Sequence, residues 1–415
     1  MYKKILSILL ICVMLFSLCG CNIKNVEFSR FEEKFSPFFA VQAEDLSVAD
    51  MTQATLIVKD AVKQTIINDA ATEGLGISNV EFETVGKKTA VTIKLMPDVK
   101  FSDGKPLTAD DVIFSMYVYA DPDYEGWCPL FHSDIQGLNA YRYGKNYTDD
   151  VEFTDEQYEA ELKTGAVDAI IVEKIIKPVL ETEMEWVKNS YNDAGYNGTE
   201  LEQYMQKYPE AKDLFAYLYS VDENYDSAAV ADADTVLADV IGQYGADYAL
   251  LGQVMGLDLT QSAYLCAKDS LAKKLGGEDV DRISGIEKID EYTVRVTFIN
   301  RDETNIEEAL AIFVAPLHYY GDESAYDYDN AKFGFTKGDL TSVREKDGNP
   351  VGAGEYVMKS YKEGKGVSFS KNKNYFCKTK NPSDVFFEET GNSNADKSHG
   401  FYVNSAEITC IEISE

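Results

Sequence analysis

Lys100-Phe101-Ser102-Asp103-Gly104-Lys105-Pro106-Leu107-Thr108-Ala109-Asp110-Asp111-Val112-Ile113-Phe114-Ser115-Met116 reads as a turn followed by a capped helix. Asp103-Gly104 is a turn dipeptide, because Gly takes positive φ cheaply and Asp bonds its own backbone. Thr108 is placed to cap a helix, with Asp111 three residues on as its capping-box partner. Asp110 and Asp111 face the positive end of the helix dipole. Val112, Ile113, Met116 and Tyr117 fall on one apolar face, and the helix is expected to end before Pro122. Just upstream, Val91, Ile93 and Leu95 alternate with Thr92 and Lys94, the pattern of a half-buried strand. Strand, turn and helix together indicate a mixed α/β fold.

The same alternation extends in both directions. Val80-Glu81-Phe82 and Thr89 to Leu95 are expected to pair as a hairpin across Gly86-Lys87, and Thr55-Leu56-Ile57-Val58 is a further strand candidate. Downstream, Tyr292, Val294, Val296 and Phe298 alternate with Thr293, Arg295 and Thr297 after an Asp290-Glu291 turn. Asn305 is placed to cap a helix running through Phe313 and closed by Pro316. Val357 to Tyr361 and Val367 to Ser370 form a second hairpin across Gly364-Lys365-Gly366.

Between these blocks the pattern changes period. Val172, Ile176, Val179 and Leu180 recur at helical spacing, as do Leu201, Tyr204, Met205 and Tyr208, and Val236, Leu237, Val240, Ile241 and Tyr244. Thr260 reads as the cap of a last helix ending near Gly276-Gly277. Residues 146–277 are therefore expected to be an acidic, all-helical insertion. The α/β lobe is assigned to 27–145 and 278–415.

The amino terminus sets the compartment. Lys3 and Lys4 precede a stretch from Ile5 to Leu18 without charge. A basic start and a short apolar run make a secretory signal (residues 1–20), too short for a stable membrane span. Leu18-Cys19-Gly20-Cys21 resembles a bacterial lipobox. That resemblance implies cleavage before Cys21, diacylglyceryl attachment to its sulfur, and residues 21–26 as a tether. The expected location is the outer face of the bacterial cytoplasmic membrane, because two acyl chains anchor durably.

Composition agrees with an exported body. The chain has 71 acidic and 39 basic residues, a net charge of −32. Nucleic acid is excluded as a partner, since phosphate binding needs a basic surface. Beyond Cys21, Cys128, Cys266, Cys377 and Cys410 are widely spaced with no CxxC, which is neither a disulfide framework nor a zinc signature. One bridge among the four is possible, and the spacing does not choose it. His132, His318 and His399 lack HExxH or HxH spacing. Asp121, Asp123 and Glu125 alternate in a loop but lack the Gly and distal Glu of an EF-hand, so no metal is assigned. No G-x-S-x-G elbow and no nucleophile–base pair stands out. No catalytic residue and no cofactor is assigned, and an enzyme is not expected. Gly352 and Gly354 lack the Lys-Ser/Thr of a phosphate loop, so backbone geometry is their expected role.

Several of these stretches together resemble a known family. The segment from Lys100 to Met116, the run Lys288-Ile289-Asp290-Glu291-Tyr292-Thr293-Val294, the sextet Ala315-Pro316-Leu317-His318-Tyr319-Tyr320, and Asn349-Pro350-Val351-Gly352-Ala353-Gly354-Glu355-Tyr356 with Asn372-Lys373-Asn374-Tyr375-Phe376 follow its order. The family is the extracellular solute-binding proteins of ABC transporters, oligopeptide/dipeptide type (family 5). The resemblance implies a periplasmic-binding-protein-like architecture of two α/β lobes joined by crossing strands, with a peptide or similar small solute closed between them. It implies ABC permease subunits as partners, and a monomer is expected. Phe35-Ser36-Pro37-Phe38 suits the family's early ligand-facing loop, and Tyr124 and Trp127 lie in the loop after the signature helix. These six are the candidate ligand-binding residues, with lobe core as the competing reading for the Phe cluster and for Trp127.

Two departures qualify the resemblance. The helical insertion is not part of the common pattern. Ala406 to Ile413 reads as the strand that crosses into the second lobe, so this chain is expected to be the first lobe with its insertion, the second lobe being missing. A surface interaction or sensory lipoprotein that keeps part of the fold is the alternative function.

Overall fold

In a computed structural model, the described residues are 33–40, 43–60, 63, 65–125, 128–164, 171–177, 238, 247, 249, 259–300, 303–362, 366–377 and 411–414. Helix α1 is Ala43–Thr52. Strands β1 (Ser78–Val85) and β2 (Lys88–Leu95) form the expected hairpin, with Val80 opposite Ile93 and Phe82 opposite Val91. Helix α2 is Ala109–Ala120, the helix expected from the opening stretch. Then come α3 (Leu138–Tyr143) and α4 (Asp155–Leu162), a π-helical turn at Val172–Ile176, and α5 (Leu259–Leu275). Strands β3 (Ile286–Asp290) and β4 (Thr293–Phe298) follow, then α6 (Glu303–Leu310) and α7 (Leu317–Tyr320). A two-stranded ribbon pairs β5 (Tyr326–Asp327) with β6 (Lys332–Phe333), and α8 is Thr341–Arg344. The last strands are β7 (Tyr356–Lys362), β8 (Gly366–Lys371) and β9 (Ile411–Ser414).

Two sheets organise these elements. The first is antiparallel throughout, in the order β1-β2-β4-β3. Val91 lies opposite Val296 and Ile93 opposite Val294, so the alternating apolar residues of β2 and β4 line one buried face. The second sheet is mixed: β7 and β8 are antiparallel, and β9 joins β8 in parallel, with Val367 opposite Ile411.

Helix α2 is more deeply enclosed than its sequence suggests. The expectation was one apolar face. In the structure every residue from Asp111 to Ala120 is buried, because the sheet covers one side while residues 311–320 and the turn at 37–39 cover the others. Its polar groups are satisfied within the core. Ser115 Oγ donates to Asp111 O at 2.7 Å and accepts from Ala315 N–H at 2.9 Å. Tyr119 OH donates to Pro37 O at 3.0 Å, and Tyr117 OH accepts from Ile283 N–H at 2.9 Å. Such pairing matters because a buried polar group without a partner costs about 1–3 kcal/mol.

Two further expectations give way to tertiary structure. Thr55-Leu56-Ile57-Val58 forms no strand. Its backbone is divided between two partners: Leu56 N–H donates to Ile312 O at 2.8 Å, while Ile67 N–H donates to Val58 O at 2.8 Å. Asn305 does not cap a helix. It lies inside α6, and its Oδ1 accepts from Asp134 N–H at 3.2 Å. The helix stops at Leu310, short of Phe313, because Ile312 and Val314 bond the main chain of Leu56 and Ala54.

In the segment expected to be an insertion, α4 and α5 pack together, with Tyr158 and Tyr264 stacked 4.4 Å apart. Glu161 accepts hydrogen bonds from Lys274 and Ser270, which hold its carboxyl below the usual range. Thr260 lies within α5, not at its cap, and the helix does end at Leu275. The entering and leaving chains run side by side: Lys145 N–H donates to Glu278 O at 2.9 Å and Asn146 N–H to Gly276 O at 3.2 Å. The patterns around Val179–Leu180, Leu201–Tyr208 and Leu237–Tyr244 lie outside the described residues. Cys128, Cys266 and Cys377 are free thiols.

Candidate functional site

The turn at Phe101–Lys105 is a joint between the two sheets. Gly104 N–H donates to Phe101 O at 2.9 Å with Gly104 at φ 92°, a left-handed conformation natural to glycine. Ser102 N–H reaches Gly352 O at 2.8 Å, and Asn374 Nδ2 donates to Phe101 O and Ser102 O at 3.3 and 3.2 Å. On its other flank, Asp103 Oδ2 meets His318 Nε2 at 2.6 Å, and Phe101 lies edge-on to the His318 ring. One turn of α2 later, Asp111 accepts from Thr108 N–H at 2.8 Å and from Leu317 N–H at 2.9 Å. Burial nonetheless pushes its carboxyl up to about 6, the hydrogen bonds opposing the shift. The motif segments around Asp103, His318, Gly352 and Asn374 thus meet at one place.

The glycines of residues 352–354 follow from close approach. A Cβ on Gly352 would sit 2.3 Å from both Thr52 O and Gln53 Oε1, and one on Gly354 would sit 2.4 Å from the Thr52 carbonyl carbon. Gly354 N–H donates to Thr52 O at 2.9 Å, tying the loop to the end of α1. No side chain fits between these backbones, so the glycines are steric and not a phosphate cradle.

Beside this contact opens a cleft of about 190 Å³. Asp50, Gln53 and Glu355 give it a polar part, and Val58, Ile77, Phe313 and Phe376 an apolar one, with Tyr375 contributing both. Gln53 is only 4% exposed; its Nε2 donates to Thr52 Oγ1 at 3.2 Å and to Val351 O at 3.4 Å. Its Oε1 and Glu355 Oε1 are buried with no hydrogen-bond partner among the described residues. Burial raises the Glu355 carboxyl above its ordinary range, against a hydrogen bond from Tyr356 and the pull of Lys371.

The residues singled out from the sequence lie elsewhere. Phe35 and Phe38 are each 1% exposed and Ser36 is 0%; Pro37 is buried with them. Phe38 packs 4.9 Å from Tyr119 and 5.6 Å from Tyr320, while Phe35 meets Tyr361 edge-on. Tyr124 is 5% exposed, and its OH donates to Phe38 O at 3.0 Å. As placed, these five support the lobe from within and none lines the cleft. Trp127 and Cys21 lie outside the described residues. Asp121 accepts from Gly338 N–H at 3.0 Å, and Asp123 accepts from Leu340 N–H at 2.9 Å and from Arg344 at 2.8 Å. That loop is therefore held by protein donors, with no group of metal-ligating residues among the described residues. The cleft residues were missed, although Glu355, Tyr375 and Phe376 sit inside the motifs that carried the resemblance.

A model of the bacterial extracellular solute-binding proteins, family 5, middle region, matches residues 67–204 and 211–397. Among solved structures, the chain is similar to the oligopeptide-binding protein AppA from Bacillus subtilis in complex with a nonapeptide, at 15% identity and a TM-score of 0.33, covering 82% of this chain and 34% of that one. It is also similar to lactococcal OppA complexed with an endogenous peptide, at 13% identity and a TM-score of 0.38, covering 82% and 36%. Listeria monocytogenes OppA bound to peptide stands at 13% identity and 0.35, covering 83% and 37%. The chain thus spans little more than a third of the length of these proteins. No curated protein matches it.

Proposed function

This chain belongs to the bacterial extracellular solute-binding proteins of family 5, and we propose that it captures a small solute of the peptide class and delivers it to an ABC permease. The observation that carries this reading is the family match itself, which runs from before β1 through β8. The peptides bound by the similar solved proteins agree with it in kind. The mechanism is capture without bond chemistry: a second surface closes over the solute, and closure follows binding because only the closed state touches the solute from both sides.

The lipobox at Leu18–Cys21 supports a lipid anchor on Cys21 and a place on the outer face of the cytoplasmic membrane. The side-by-side chain passages at Lys145–Asn146 and Gly276–Glu278 support reading 146–277 as an insertion into the lobe.

Thermal melting with pooled di- to pentapeptides tests the solute class. At a hundredfold excess over Kd, binding adds about 2.7 kcal/mol. For a protein of this size that corresponds to a rise of about 3 °C in Tm. A flat response to every pool would sink the reading. Separately, cells expressing the chain should incorporate radioactive palmitate into it, and Cys21→Ala should abolish the label and release the protein from membranes.

A further inference from the structure

Residues 372–376 follow β8 and belong to no strand or helix, yet Tyr375 and Phe376 form one wall of the cleft. Irregular backbone needs ties of its own to stay ordered, because fixing it costs conformational entropy. Two asparagines supply them. Asn372 is buried; its Nδ2 donates to Gly354 O at 2.7 Å, and its Oδ1 accepts from Asn374 N–H at 2.9 Å. Its main chain bonds Glu355 O at 2.8 Å and Tyr375 N–H at 3.1 Å, which fixes the segment to the glycine loop. Asn374 reaches the other way. Its Nδ2 donates to Phe101 O at 3.3 Å and to Ser102 O at 3.2 Å, across more than 270 residues of sequence. Neither the turn at Phe101–Lys105 nor Asn374 lines the cleft. Both can act on it only through the residues they hold.

We propose that Asn374 is a positioning residue for solute capture: by clasping two successive carbonyls of the Phe101–Lys105 turn, it sets where Tyr375 and Phe376 stand in the cleft. The amide suits the task, since one nitrogen carries two donors and the turn presents two adjacent acceptors. An aspartate in its place would keep the shape and bring an ionised, acceptor-only group against two carbonyl oxygens. The first sheet's turn thereby shapes a wall that belongs in sequence to the second sheet. The assignment deepens the solute-capture reading and rests on it, in taking this cleft as a surface that the solute meets.

Amide exchange of the full chain, read by mass spectrometry on peptides covering 372–377, β2, β7 and β8, tests the assignment beside melting with the di- to pentapeptide pools. Asn374→Asp should speed exchange at 372–377 by about tenfold or more, as expected for two lost hydrogen bonds. Strands β2, β7 and β8 should stay protected, and the Tm rise given by the active pool should shrink. Gly104→Ala gives a second reading should that variant fold poorly. It strains the turn at φ 92° while leaving the amide room, its Cβ falling 3.8 Å from Asn374 Nδ2. It should loosen the same peptide, and the double variant should add little to the larger single effect, because both break one contact. Unchanged exchange at 372–377 in both variants overturns the proposal. So does equal loosening of β7 and β8, the mark of a merely structural role, and so does an unaltered pool response in a chain whose wall has loosened. If no pool shifts the Tm of the unaltered chain, solute capture fails, and the clasp on the wall stands or falls on the exchange pattern alone.

Discussion

The two sheets differ in how much of their stability they own. The four-stranded sheet and helix α2 share one continuous core that runs from Phe38 through Phe114, Phe298 and Tyr320 to Val343. Among the described residues the core of the second sheet is small: Phe35, Val48, Tyr356, Met358, Val367 and Phe369, with Met51 and Tyr361 packed against it. Two of those six come from the stretch at 33–52 and not from the sheet itself. Local stability follows buried contacts, so the first body should open only on global unfolding and the second should open earlier. The junction at Ser102, Gly352 and Asn374 then matters more to the second body than to the first.

The sharpest test is a matched pair of cavities. Phe114→Ala should cost about 3–5 kcal/mol in urea unfolding, because it empties a fully enclosed site. Phe369→Ala is equally buried, yet its effect should be confined to β7, β8 and their neighbours, read as faster amide exchange there with β2 and β4 still protected. Equal loss of protection in both sheets would erase the contrast. Next in size, Gly354→Ala forces a Cβ into the Thr52 carbonyl and should cost about 1–3 kcal/mol. Its signature is exchange rising in β7 and β8 before any change in the midpoint of β2.

The smallest effect is in pH dependence, and each body holds one reporter. Burial pushes Asp111 and Asp347 up to about 6; the first braces α2, and the second offers its backbone carbonyl to Phe35 N–H at 2.9 Å. A carboxyl raised in the folded state binds its proton more tightly there than in the unfolded chain. Folding should therefore be favoured as pH falls from about 6 toward 4, and that gain is lost as pH rises through 6. Asp111→Asn should flatten the dependence of global stability by on the order of 1–2 kcal/mol across that window. Asp347→Asn should act on exchange in the second sheet.

The sequence carried the local structure well and the surroundings poorly. Alternation at Val91–Leu95 and Tyr292–Phe298 located strands, and Asp103-Gly104 with Thr108 and Asp111 located a turn and a helix start, because those signals lie within one or two turns of chain. Where distant segments compete for the same backbone groups, local reading failed. Thr55–Val58 has strand composition, but Ile312 and Ile67 divide its hydrogen bonds. Asn305 has cap chemistry, but Asp134 claims its oxygen. The site shows the limit most clearly. Phe35 and Phe38 look like ligand anchors until α2 and Tyr320 are seen to enclose Phe38 and Tyr361 to meet Phe35. Gln53 meets Val351 across 298 residues of sequence, a proximity that no periodicity could announce.

The parallel pairing of β9 with β8 also orders events in time. Every strand of the first sheet has emerged once Phe298 is made, and the helices and turns that cover it follow by Arg344. The second sheet must wait for Ser414. At ~5–20 residues per second, that interval is several seconds or more. In its last part, from Lys371 to Ser414, the free side of β8 offers unpaired backbone groups to whatever strand arrives first. The waiting edge of β8, and not the larger first core, is therefore the part that chaperones have most reason to guard.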